Sequence, residues 1–298
     1  MKKKLIVILG PTAVGKTSVS LEIATFLKTE IISFDSRQFY KELKIGSAPP
    51  DKHELKRIPH HFIHNLSIKD NYNSGIYENE AINKLNILFK KYDTLIAVGG
   101  SGLYLDAICK GFDIIPNIKK QDREHINKKY KQYGIEWLND QIKKVDPKYY
   151  SIVDKKNPRR LIRGLEVFYS TGEPYSSYRN KNRKERSFEI IKIGLYMKRE
   201  DLYEKINQRV DSMIKIGLLR EVISLQKYKS LNPLKTVGYD ELFKYLENKT
   251  TLEEAITEIK QNTRRLAKRQ ITWFKKDKTI EWFNTKERDE ITSFIESH

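Results

Sequence analysis

Leu5-Ile6-Val7-Ile8-Leu9-Gly10-Pro11-Thr12-Ala13-Val14-Gly15-Lys16-Thr17 decides the fold. An unbroken apolar run of five residues is too short for a helix and suits a strand buried on both faces, and the pattern G-x-x-x-x-G-K-[ST] follows it directly. Strand, phosphate loop and helix start thus stand in order. The glycines let the backbone curl with its N–H groups inward, and a helix beginning near Lys16 adds its positive end. Gly10 to Thr17 are therefore expected to grip a diphosphate or longer phosphate chain, with Lys16 supplying an ammonium and Thr17 a hydroxyl ligand for Mg2+. The loop by itself does not specify which phosphate ester is bound.

Outward from this segment, short β-branched runs recur at 30–34 and 94–98, separated by helix-period segments near 17–26 and 75–91. The order β-α-β-α-β predicts an α/β fold with a parallel sheet, of the P-loop NTPase-like kind. Ligands of such sheets collect at the carboxyl ends of the strands, where the loop, Asp35 and Gly99-Gly100-Ser101 all fall. From about Ile118 the sequence turns charged, Tyr-rich and helical, with breaks at Gly134, Asp146-Pro147, Asn157-Pro158 and Gly172-Glu173-Pro174. The expected organisation is a core of residues 1–117 and 184–298 with a helical insertion domain over 118–183. In the returning core, strands are expected at 188–193 and 279–283 and helices from near Arg199 and Leu252.

The 298 residues carry 57 Lys and Arg against 39 Asp and Glu, a net charge of +18, so polyanions should be attracted over a Debye length or more. A lysine-rich proteome accounts for part of this excess. Three stretches, however, are arginine-rich: 155–163, 179–186 and 264–273. Interleaved with Tyr and Trp, they suit backbone phosphates and unstacked bases of a nucleic acid better than a solvated face. The single cysteine, Cys109, excludes an internal disulfide and a cysteine zinc site. Met-Lys-Lys-Lys before an apolar run imitates a secretion signal only faintly, and no apolar stretch approaches a membrane span, so a cytoplasmic protein is expected.

Asp35 stands at the end of the second strand in Asp35-Ser36-Arg37-Gln38-Phe39-Tyr40. It is the best candidate base, and capping of a turn is the competing reading. No carboxylate ends the 94–98 strand, which weakens an ATPase or GTPase reading. His60-His61-Phe62-Ile63-His64 is poorly spaced for one metal ion and is expected to pack or hydrogen-bond in a loop. Tyr149-Tyr150 and Trp273-Phe274 read as core or interface aromatics. Three functions remain open from these residues: a transferase acting on a diphosphate ester, a P-loop kinase using ATP, and a non-catalytic RNA-binding protein.

The motifs taken together narrow the choice. Gly10 to Thr17, Asp35 to Tyr40, Ile45-Gly46-Ser47-Ala48-Pro49-Pro50, Pro59-His60-His61, Val98-Gly-Gly-Ser-Gly-Leu-Tyr104, Asn157-Pro-Arg159-Arg160-Leu161-Ile162-Arg163-Gly-Leu-Glu166, Val237-Gly-Tyr239 and Arg264 to Trp273 resemble, in this order, the tRNA dimethylallyltransferase family. The resemblance implies transfer of a dimethylallyl group from dimethylallyl diphosphate to N6 of adenosine 37, beside the tRNA anticodon, with the base flipped into the protein. It implies Asp35 as general base, and Lys16, Thr17 with Mg2+, Ser101, Arg209 and Thr12 around the leaving diphosphate. It also implies that tRNA meets Asp35, Ser36, Arg37, Gln38 and Ser101 near the adenine. Arg123, Arg159, Arg160, Leu161, Ile162 and Arg163 would meet the anticodon arm. The third basic stretch would meet backbone phosphate, and a monomer is expected. Ser101 stands where Thr is common, and Asp240 where a basic residue is frequent. The cysteine-histidine finger of eukaryotic relatives is absent, which points to the bacterial type.

Overall fold

In the computed structural model, which describes residues 2–113, 115–179 and 185–298, the chain divides into two compact units. One comprises the residues up to Cys109 together with Arg186–His298; the other is Lys110–Glu185. The expected insert of 118–183 lies inside this second unit, which also takes in 110–117, a segment the sequence places with the core.

The first unit is built on β1 (Lys4–Leu9), β2 (Ile31–Ser33), β3 (His60–His61), β4 (Thr94–Gly99), β5 (Glu189–Tyr196) and β6 (Ile280–Asn284). All pair in parallel, in the order β3-β2-β4-β1-β5-β6. β1 lies between β4 and β5, with Leu5 opposite Leu95 and Ile190, and Leu5 to Leu9 are at most 1% exposed. A strand flanked on both edges and covered on both faces has no solvent side to alternate towards, which is why its sequence is continuously apolar. β3 departs from the sequence reading. His60 and His61, assigned to a loop, pair in parallel with Ile31 and Ile32. Two residues without an apolar pattern carry no strand signal; the neighbouring edge of β2 recruits them.

The order places the carboxyl ends of β2, β4 and β1 side by side. β1 runs into the phosphate loop, where Ala13 (φ 65°) and Gly15 (φ 101°) adopt the left-handed region, and the helix Lys16–Phe26 follows. β2 runs into Phe34-Asp35. β4 ends at Gly99, followed by Gly100-Ser101 and the helix Gly102–Cys109.

The second unit contains the helices Lys120–Val145, Pro147–Ile152, Pro158–Thr171 and Tyr175–Tyr178. Each break read from sequence has a local cause. Gly134 leaves helical geometry at φ 74°, the Asp146 and Asn157 side chains accept the N–H of Tyr149 and Arg160, and Gly172 caps at φ 80°. Ile126, Leu138, Ile142, Tyr149, Leu161 and Leu165 form its core.

Candidate active site

Two cavities open at the joined strand ends, both lined wholly by the first unit. The smaller, about 130 Å3, is the phosphate-loop cavity, walled by Gly15, Lys16, Thr17, Ser20 and His60 among others. The larger, about 670 Å3, is walled on one side by Leu103, Met213, Leu218, Leu266 and Trp273. Thr12, Asp35, Ser47, Ala48, Arg209 and Gln270 line both. Asp35 therefore sits on the border between a polar and a partly apolar compartment.

One carboxylate oxygen of Asp35 is engaged in a turn and the other is not. Its Oδ1 accepts the N–H of Arg37 at 3.1 Å, a turn contact, while Oδ2 accepts no hydrogen bond among the described residues. Lys16 Nζ donates to the carbonyls of Gly10 and Pro11 at 3.0 and 2.8 Å. Burial pushes the Lys16 ammonium down to about 8, against the Asp35 charge, which raises it, and with a smaller downward push from Arg209. Burial likewise lowers Arg209, and Asp35 opposes that shift. Arg209 reaches the Thr12 hydroxyl at 3.4 Å from the helix Arg199–Ile216. Two cations facing one carboxylate leave the cavity with an excess of positive charge.

Ser101 and Ser36 hold each other: the Ser36 N–H donates to Ser101 Oγ and the Ser101 hydroxyl to Ser36 Oγ, both at 3.1 Å. Arg37 turns its guanidinium to the carbonyls of Asn232 and Pro233 at 3.3 and 3.1 Å. Both ends of the Gln38 amide are occupied, Nε2 by the Ala48 carbonyl at 3.0 Å and Oε1 by the Ser33 hydroxyl at 3.3 Å. His60 donates Nδ1–H to the Ile58 carbonyl at 2.8 Å, since a carbonyl can only accept, and its buried Nε2 has no partner among the described residues.

The residues assigned to the anticodon arm all belong to the second unit. Arg123 and Arg163 share the buried Glu166 at 2.7 and 3.5 Å, and Arg159 and Arg160 are exposed at the start of Pro158–Thr171. Leu161 is 0% exposed in the unit's core, with Ile162 packed against that core, so the Leu161 side chain faces protein and offers tRNA no surface of its own. The stretch 179–186 falls in large part outside the described residues, which omit 180–184.

Sequence reasoning missed several residues of the site. Gln270 ties two loops together, Oε1 accepting the Thr12 N–H at 2.8 Å and Nε2 donating to the Gly100 carbonyl at 2.9 Å. Trp273, read as a core or interface aromatic, is 40% exposed and lines the large cavity, whereas its neighbour Phe274 is 1% exposed as expected. Helical periodicity separates these two faces, but it does not say that one of them meets a cavity.

The family model described as IPP transferase matches residues 38–277. A tRNA dimethylallyltransferase of Christiangramia forsetii is 51% identical over 298 residues, covering 100% of this chain and 99% of that protein. Another, from Phocaeicola vulgatus, is 48% identical over 297 residues, at 100% and 99% coverage. The chain belongs to the tRNA dimethylallyltransferase family. The crystal structure of a full-length tRNA isopentenylpyrophosphate transferase from Bacillus halodurans matches with a TM-score of 0.73 and 34% identity, over 99% of this chain and 96% of that one. A eukaryotic dimethylallyltransferase acting on tRNA matches with a TM-score of 0.79 and 27% identity, over 95% and 74%. Family membership chooses the transferase, a prenyltransferase, among the three functions that the loop and the basic stretches left open. Among the described residues, no helix is long and apolar enough to cross a membrane.

Proposed function

We propose that this tRNA-prenylating enzyme takes the dimethylallyl group from dimethylallyl diphosphate and places it on N6 of adenosine 37 of a tRNA anticodon loop, with Asp35 as general base. The position of Asp35 on the wall shared by both cavities carries this reading. The diphosphate belongs in the smaller, cationic cavity, and the allyl group and everted purine in the larger one. N6 attacks the allylic carbon, the bond from that carbon to the diphosphate oxygen breaks with its electron pair, and the N6 proton passes to the Asp35 carboxylate.

An adenine amine is a weak nucleophile because its lone pair is delocalised into the ring. A carboxylate that accepts the proton as the bond forms is worth ~10²–10⁴ in rate. Charge grows on the leaving diphosphate, and Lys16, Arg209, the Thr12 hydroxyl and the loop N–H groups are the donors that meet it. Lys16 would exchange the Gly10 and Pro11 carbonyls for phosphate oxygens. Ser101 would add a hydroxyl from the opposite loop.

The donor set also fits Mg2+. No cluster of three His, Cys, Asp or Glu that could hold a metal occurs among the described residues. A cation here would therefore take the Thr17 hydroxyl and substrate phosphates and keep most of its water, as Mg2+ does. Nε2 of His60, on the same cavity wall and without a partner among the described residues, is an acceptor suited to such water. Bound Mg2+ supplies neutralisation of the diphosphate charge.

Incubation of labelled dimethylallyl diphosphate with tRNA should yield a prenylated adenosine on nucleoside mass spectrometry. In Asp35→Asn the turn contact to Arg37 survives but the base is lost, so transfer should fall by ~10²–10⁴ with donor binding retained. Unchanged turnover would remove Asp35 as the base.

A further inference from the structure

Glu221 is not among the residues lining either cavity, yet its carboxylate accepts four hydrogen bonds beside the larger one. From the helix Leu218–Leu225, its Oε2 accepts the N–H of Lys44 at 2.9 Å and of Ile45 at 2.8 Å. Its Oε1 accepts the N–H of Gly46 at 3.1 Å and the Tyr239 hydroxyl at 2.6 Å. Tyr239 is 0% exposed, and burial together with the Glu221 charge keeps its phenol protonated and donating. Gly46 lies so close to this ring that a Cβ there would stand 2.5 Å from it.

The segment held in this way is a wall of the large cavity, lined by Gly46, Ser47, Ala48 and Tyr239. Hydrogen bonds continue from it to the base. The Ala48 carbonyl accepts Gln38 Nε2 at 3.0 Å, Gln38 Oε1 accepts the Ser33 hydroxyl at 3.3 Å, and Ser33 Oγ accepts the Asp35 N–H at 3.3 Å. The Gln38 N–H closes the turn on the Asp35 carbonyl at 3.2 Å.

We propose that Glu221 is a positioning residue of the transfer reaction: by holding residues 44–46 against Tyr239 it sets the wall and the Gln38 amide that together aim Asp35 at the everted adenine. The proposal rests on the reading of Asp35 as base. A carboxylate is required because all four partners are donors. A glutamine in its place would turn an NH2 towards N–H groups. Among the described residues the phosphate loop shares no hydrogen bond with Glu221, while the wall it braces borders both substrates, so the larger effect is expected on the adenine and the smaller on the donor.

The test is steady-state kinetics of the full-length Glu221→Gln protein against both substrates, with its thermal melting recorded. The expected result is a fall of about tenfold to a hundredfold in kcat/KM for tRNA, the scale of a misplaced reacting group, with a smaller change in KM for dimethylallyl diphosphate and a protein that still melts in one cooperative transition. If both substrates suffer alike as the melting temperature falls, or if tRNA kinetics do not change, the proposal is overturned. Should Glu221→Gln fail to fold, Tyr239→Phe gives up only one of the four bonds and must show the same split in smaller measure; unaltered tRNA kinetics in it also overturns the proposal. Absence of prenylation in the unmutated protein would instead overturn the reading of the reaction itself.

Discussion

Lys16 concentrates the physical chemistry of the site in one side chain. Its ordinary value of 10.5 is lowered to about 8 in the folded protein. The folded state therefore holds fewer protons than the unfolded state between these values, so the stability cost of enclosing the ammonium is full below pH 8 and is relieved as pH rises towards 10.5. Ligand binding runs the other way. The cation that meets the diphosphate disappears above pH 8, so donor affinity should fall as pH rises through that value, which calorimetric titration at a series of pH values would reveal. Because the Asp35 charge raises Lys16, Asp35→Asn should move this midpoint downwards; a midpoint that stays in place would disconnect the two groups. The loop motif made Lys16 legible from sequence alone. Its interaction with Asp35 was not, since the two are brought together only by the adjacency of strand ends.

At the scale of elements, the contact between the helices Gly102–Cys109 and Leu252–Phe274 shapes the large cavity. A Cβ on Gly102 would stand 2.3 Å from Trp273 Nε1, so this glycine is required by close approach and not by turn geometry. Gly102 is the first residue of its helix, where alanine adds little to helix propensity, so the main effect of Gly102→Ala is to displace Trp273. We expect a protein that remains folded, with altered tryptophan emission and slower transfer; normal transfer with undisturbed emission would mean that the indole yields without consequence. In the helix Leu252–Phe274, Ala255, Ile259, Ala267 and Phe274 are buried along one side. The inward aim of Gln270 and Trp273 was hidden, because a period gives the angular position of a side chain and not what lies opposite it. β3 was hidden for a related reason, being formed by its partner strand and not by its own two residues.

For the molecule as a whole, the residues expected to do the chemistry and those expected to hold tRNA fall on different units. All residues lining the two cavities belong to the core, while Arg159 and Arg160 are exposed on the other unit, where tRNA phosphate is their expected partner. Replacing both by Ala should weaken tRNA binding and reduce the slope of log affinity against log salt by about 0.7–0.9 for every phosphate that is no longer neutralised. Donor affinity should be unaffected, and an unchanged salt slope would exclude these two arginines from the interface. The sequence by itself determined the parallel α/β core, the phosphate loop and the helical insert. Each of these is written in contiguous residues, where apolar runs, glycine positions and caps act over a few bonds. Only the tertiary structure decided that Asp35 borders two cavities, that Leu161 is withdrawn into a core, and that Glu221 braces a wall far from it in sequence. Those are contacts between distant segments, fixed by how strands order and helices pack, and no local pattern of residues encodes which distant atom will be met.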